Sequence, residues 1–134
     1  MRYLLLMLVF CSGVQAEVLH KNDTGFALKI ERQVNVDKAK AYQKFLQVSD
    51  WWLSSHTWFG DAQGLYIEPF VNGCFCEKNG KKQALHMTIS YIDPESEIRM
   101  IGGLGPLQSM GIHGGMTWKF NATQENQTTI EFTY

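Results

Sequence analysis

Three side chains in this sequence could take part in proton transfer if their surroundings tune them toward neutral pH: His56, Glu77 and His86. Two thiols, Cys74 and Cys76, lie close to them along the chain. Spacing decides whether these groups meet. If Asn79-Gly80 is a two-residue hairpin turn, Cys76 lies opposite Gln83 and Cys74 opposite Leu85, which sets both cysteines on the Leu85 face. Glu77 and His86 then project to the other face. The pattern therefore assembles neither an acid–base pair nor a zinc site from Cys74, Cys76 and His86, whose spacing also matches no common ligand pattern. No metal or other cofactor is expected. No catalytic residue is assigned either, and if the protein is an enzyme, His56 is the candidate acid–base group.

The larger signal is apolar. Trp51, Trp52, Trp58 and Phe59 place four aromatic rings within nine positions, suited either to packing at a helix-to-strand corner or to the mouth of a ligand cavity. Met87, Met100 and Met116 fall on what should be the inner face of a sheet, as flexible core residues or as an adaptable ligand wall. Trp118 shares that face, and its indole N–H needs an acceptor, a neighbouring carbonyl or a ligand oxygen. The glycine-rich stretch from Gly102 to Gly111 reads as a loop that could fold Leu104 and Leu107 over a cavity opening, or simply as a long hairpin connection.

The elements that must position these residues follow from periodicity. From Gly25, apolar residues alternate at Phe26, Leu28, Ile30, Val34 and Val36, which predicts a strand with one face buried. Asp37 can cap a helix whose stripe is Ala39, Tyr42, Phe45 and Leu46, with a very short second turn from Ser49. Ser54 to Gln63 lacks a sustained period and reads as a loop. Strands are expected at Leu65–Glu68, at Gly73–Glu77, through Leu85, Met87, Ile89 and Tyr91, through Ile98 and Met100, through Met116, Trp118 and Phe120, and through Ile130, Phe132 and Tyr134. Short strands joined by tight turns give an antiparallel sheet with one apolar face that needs cover.

Composition narrows the class. The chain has 134 residues, and residues 1–16 read as a signal peptide: Arg2 as the positive start, an apolar run from Tyr3 to Phe10, and a cleavage site at Val14-Gln15-Ala16. That run is short of the ~20 residues of a spanning helix, so no stable membrane span is expected after cleavage, and a periplasmic or secreted protein is. Residues 17–24 would be a flexible mature N-terminus and residues 25–134 the domain. Losing Arg2 leaves 11 of the 12 Lys and Arg against 13 Asp and Glu, too balanced a charge for a nucleic-acid partner. Cys74 and Cys76 on a regular strand would have Cα atoms about 6.6 Å apart, while a disulfide wants Cβ atoms about 3.8 Å apart, so no disulfide is expected.

Trp51-Trp52, His56-Thr57-Trp58, Gly73-Cys74-Phe75-Cys76-Glu77, His86-Met87, Gly103-Leu104-Gly105-Pro106-Leu107-Gln108 and Met116-Thr117-Trp118 form an ordered series. From about Gly25 to Tyr134 it resembles bacterial START-like proteins of the SRPBCC group, often labelled polyketide cyclase-like or heat-shock-ATPase-activator-like. The resemblance implies an α+β helix-grip fold: a curved antiparallel sheet of about seven strands, short helices after the first strand, and a long C-terminal helix closing an apolar cavity. That helix is missing from this chain, which looks truncated. The bacterial likeness makes the sequons at Asn22, Asn121 and Asn126 chance polar loops rather than glycan acceptors.

The leading expectation is binding or carriage of an apolar small molecule, lipid-like or aromatic, on the concave face of the sheet. Trp51, Trp52, His56, Trp58, Phe59, Met87, Met100, Leu104, Leu107, Met116 and Trp118 would be the contacts. The alternative is an enzyme of cyclase or hydrolase type on an aromatic or polyketide-like substrate; activation of a heat-shock ATPase is disfavoured by export. A homodimer through the uncovered sheet face is a further outcome to test.

Overall fold

A computed structural model describes residues 15–134. Eight strands form one antiparallel sheet: β1 (Gln15–Asn22), β2 (Gly25–Val34), β3 (Leu65–Ile67), β4 (Cys74–Asn79), β5 (Lys82–Asp93), β6 (Glu97–Gly102), β7 (Gly114–Gln124) and β8 (Gln127–Thr133). Their spatial order is β1-β2-β8-β7-β6-β5-β4-β3, so after β2 the chain crosses to β3 at the far edge and meanders back strand by strand until β8 pairs with β2. The one α-helix, α1 (Lys38–Leu46), follows β2. The result is a curved, mostly β architecture compatible with a helix-grip fold.

The helix starts where the sequence places it. Asp37 accepts a hydrogen bond from the Lys40 backbone N–H at 2.8 Å, satisfying one donor that the first turn leaves free. Ala41, Tyr42 and Phe45 are its buried stripe, set on β7 through edge-to-face contacts of Tyr42 and Phe45 with Phe120 at 5.4 and 5.5 Å. Single-turn 3-10 helices at Val48–Asp50, Ser54–His56 and Ala62–Gly64 then carry the chain to the far edge of the sheet.

Three departures from the sequence reading have physical causes. The strand count is eight because residues 17–24, expected as a flexible terminus, hold most of β1 and its turn into β2. All of β1 from Ala16 onward is exposed, so no apolar alternation announces it; the backbone ladder to β2 is its tie to the sheet. Residues 1–14, nearly all of the expected leader, lie outside the described residues.

The second departure is in β5. Cys76 pairs with Leu85 but Phe75 with Met87, and Ile89 pairs with Met100 but Tyr91 with Arg99. His86 and Ser90 are therefore extra residues in the ladder, each reversing which parity faces inward. Met87 and Ile89 are buried, whereas Leu85 and Tyr91, two positions to either side, are exposed. The inward sequence on this strand runs His86, Met87, Ile89, Ile92 rather than strictly by twos.

The third departure is covalent. Cys74 and Cys76 form a disulfide, against the expectation of two free thiols. Their Cα atoms are 5.4 Å apart, shorter than the roughly 6.6 Å of a regular strand; β4 is contracted where the ladder is interrupted, and the contraction supplies the approach that an ideal strand lacks. Cys76 shares its face with Leu85, as expected, but that face is the outer one.

Candidate functional site

The inner face can be read as rows of directly opposed residues. Ile30 pairs with Phe132, Phe132 with Trp118, and Trp118 with Ile98; one step along, Arg32 pairs with Ile130 and Ile130 with Phe120. Directly opposed residues share a face, so these rows form one surface. Helix α1 covers its β7 end, and the segment after the helix arches over the middle.

That segment is held by aromatic contacts and by indole hydrogen bonds. The Trp51 ring lies 5.5 Å from that of Trp52 and 6.3 Å from Phe45, and its Nε1 donates to the carbonyls of Lys44 and Phe45 at the end of α1. Trp52 packs against Phe75 at 5.5 Å and donates from Nε1 to the His56 carbonyl at 3.0 Å, which fixes the turn at Ser54–His56. Phe45, Trp118 and Phe132 continue the aromatic surface at 4.7–4.9 Å. The indole N–H of Trp118, expected to seek an oxygen, donates to the Met116 thioether at 3.0 Å.

Between arch and sheet lies a groove of two adjacent chambers that share walls at Trp52, Phe75 and Leu104. One, about 240 Å³, is bounded by Phe45, Trp51, Trp52, Met100, Met116 and Trp118 among others, with Arg32 its single charged residue. The second, about 550 Å³, extends from shared walls at Trp52, Phe75 and Leu104 to His56, Trp58, His86 and Leu107. Small-molecule sites commonly span about 300–1,000 Å³ and are mostly apolar with a few polar groups, a description the two chambers meet together.

The expected contacts thus fall into three sets. Trp51, Trp52, Met100, Leu104, Met116 and Trp118 surround the first chamber; His56, Trp58 and Leu107, with Trp52 and Leu104 again, surround the second. Phe59 instead has the Lys82 ammonium 5.9 Å from its ring centre. Met87 is buried in the core, bordering a separate depression with Gly102, Gly103 and His113. The Gly102–Gly111 loop does bring Leu104 and Leu107 over the groove, but it is anchored: Gln108 Nε2 donates to the Leu85 carbonyl at 2.6 Å, and the Leu104 N–H donates to the Tyr134 hydroxyl at 3.4 Å.

Glu77 and His86, expected to point away from the apolar face, are both buried on it. The Glu77 carboxylate accepts from the backbone N–H groups of Trp58 at 2.9 Å and Phe59 at 2.8 Å, and lies 3.3 Å from His86 Nε2. Burial holds the His86 pKa below its ordinary value, partly opposed by the adjacent Glu77. The His86 ring also stacks at 4.9 Å on Phe75 and forms part of the second chamber's wall. A carboxylate that fixes one nitrogen of an imidazole whose ring borders a cavity is the arrangement that orients a histidine base. The bulge at His86 is what the alternation could not show. Arg32 was equally hidden, although its place between Ile30 and Val34 puts a cation at an apolar-face position and was the available signal. Among the described residues no group of three or more His, Cys, Asp or Glu side chains is placed to hold a metal ion, and no helix is long and apolar enough to cross a membrane.

No protein-family model matches this sequence, and no curated protein does. Likeness appears at the level of structure. A conserved protein of unknown function from Enterococcus faecalis superposes with a TM-score of 0.62 at 13% identity over 89% of this chain, which spans 60% of that protein's length. Protein Ms6760 from Mycobacterium smegmatis gives 0.59 at 10% identity, covering 90% of this chain and 77% of its own. CalU16 from Micromonospora echinospora gives 0.51 at 8% identity, covering 90% and 68%. The fold is shared with these proteins. At such identities the likeness extends to nothing beyond it.

Proposed function

We propose that the protein is a START-like, helix-grip binding protein that holds an apolar small molecule, lipid-like or aromatic, in the groove on the concave face of its sheet. The observation that carries the reading is the groove itself: two adjacent chambers with shared walls, the first almost entirely apolar and aromatic and the second mostly so, between the arch at Trp51–Trp58 and the sheet. Affinity would come from burying apolar ligand area, at about 25 cal/mol per Å² before ordering costs. Native mass spectrometry of the purified protein tests this: a co-purified lipid-like or aromatic mass is expected, and it should be lost in Ile30→Trp, which fills the first chamber. Retention of the same mass by a folded Ile30→Trp protein would place the ligand elsewhere and contradict the reading.

An enzymatic reading, cyclase or hydrolase chemistry on an aromatic or polyketide-like substrate, draws support from the Glu77–His86 pair at the second chamber. In that reading His86 rather than His56 is the base, oriented by Glu77. Loss of turnover in His86→Gln with retained ligand binding would favour it, and unchanged turnover would remove it. Export to a periplasmic or extracellular setting is supported by the Cys74–Cys76 disulfide, since such bonds persist mainly in oxidising compartments. A second copy of the chain pairing over the groove is the competing occupant, and light scattering distinguishes it.

A further inference from the structure

Resting on the groove reading, we propose that the ligand is an amphiphile with an anionic oxyanion head, carboxylate or phosphate, and that Arg32 selects it. Arg32 occupies the middle of the Ile30-x-Arg32-x-Val34 alternation and lies directly opposite Ile130, so the register sets it on the inner face with Phe120, Trp118 and Phe132. It is the one charged residue bordering the first chamber. It sits at the solvent-exposed rim, where a head group can stay hydrated while its chain enters the groove.

No carboxylate of the described residues lies within salt-bridge distance of Arg32. The acidic residues nearest in register, Glu31 and Glu131, belong to the opposite parity and pair with Lys29 at 3.5 and 2.7 Å. Lys29 thus holds the two nearest acids on the outer face, and Arg32 stands as a permanent cation on the inner one. An apolar ligand lacking a head group would gain nothing from that guanidinium, whereas a carboxylate or phosphate accepts two parallel N–H bonds from its fork. With the head at Arg32, the chain would lie over Phe45, Trp51 and Trp118.

The competing account is that Arg32 covers apolar surface with its stem and does no recognition. Titrations of wild type, Arg32→Gln and Arg32→Lys with dodecanoate, dodecyl phosphate and dodecanol, below their micelle concentrations and followed by tryptophan fluorescence, separate the two. The expected result is that wild type binds the better anion about tenfold more tightly than the alcohol, the order of gain a charge-assisted bond gives. Arg32→Gln should erase that preference with dodecanol affinity unchanged, and Arg32→Lys should keep part of it. Whichever anion binds more tightly assigns the head as carboxylate or phosphate. Equal affinity for all three ligands, or an anion preference surviving in Arg32→Gln, overturns the role of Arg32 while leaving the groove reading intact. Absence of saturable binding by any of them overturns the groove reading itself.

Discussion

Glu77 joins three separate parts of the chain. One carboxylate satisfies two backbone donors of the Trp58–Phe59 segment and meets His86, so it ties the arch to β4 and β5 together. Removing it leaves two partly buried N–H groups without their acceptors. Glu77→Ala should therefore lower unfolding free energy by about 1–3 kcal/mol in urea titration, with Glu77→Gln costing less because one oxygen remains. His86 adds a pH dependence whose sign is fixed by its burial. Its folded pKa is depressed, so below about pH 6.5, the ordinary histidine value, the unfolded chain takes up a proton that the folded chain does not. The contribution of His86 to stability is complete above that pH and is lost as pH falls through the folded pKa. Urea midpoints measured from pH 7.5 to 5 should drop more steeply for wild type than for His86→Gln; parallel slopes would contradict the depressed pKa.

At the scale of elements, the regular parts were legible and the interruptions were not. Strands β2 to β8 and α1 fall close to where alternation and the Asp37 cap place them, but the expected Asn79-Gly80 turn is Gly80-Lys81: Asn79 pairs with Lys82, so Cys76 lies opposite Leu85 rather than Gln83 and Cys74 opposite Thr88 rather than Leu85. The bulges at His86 and Ser90 follow from nothing local. They shift parity by one, and that single residue moved Glu77 and His86 from the expected outer face to the inner one and sent Leu85 and Tyr91 outward. The disulfide was missed for the same reason, since an ideal-strand spacing was applied where the strand is contracted. In the Gly102–Gly111 loop, glycine composition left open a flap over the cavity or a long hairpin connection; the loop is anchored to Leu85 and Tyr134, and Gly103 is one reason it fits. A Cβ there would stand 2.5 Å from the Ile112 carbonyl oxygen and 2.7 Å from the Gln108 Cα. Gly103→Ala should therefore displace the loop, destabilise the fold by about 1–3 kcal/mol, and speed amide exchange across residues 104–112. Unchanged exchange there would show that the loop absorbs the extra carbon.

At the scale of the whole molecule, the described residues form a curved sheet whose inner surface they cover in part. Helix α1 closes one end with Tyr42 and Phe45, the Trp51–Trp58 arch spans the middle, and the groove is the space they leave. Of the site, sequence reasoning supplied most of the aromatic and thioether walls, because large apolar residues on one strand face can be read from parity. It could not supply Phe45, Phe75 and Ile130 as walls, which depend on how the arch and the sheet meet. The most direct test of the groove as a binding site is quenching of the tryptophan emission by 11-bromoundecanol, whose bromine acts at contact with the indoles of Trp51, Trp52, Trp58 and Trp118, all four on the chamber walls. Saturable quenching that is abolished in Ile30→Phe, which adds bulk to the first chamber without adding an indole, is the predicted result, whereas quenching that rises linearly with concentration, as for free collision, would contradict a binding groove.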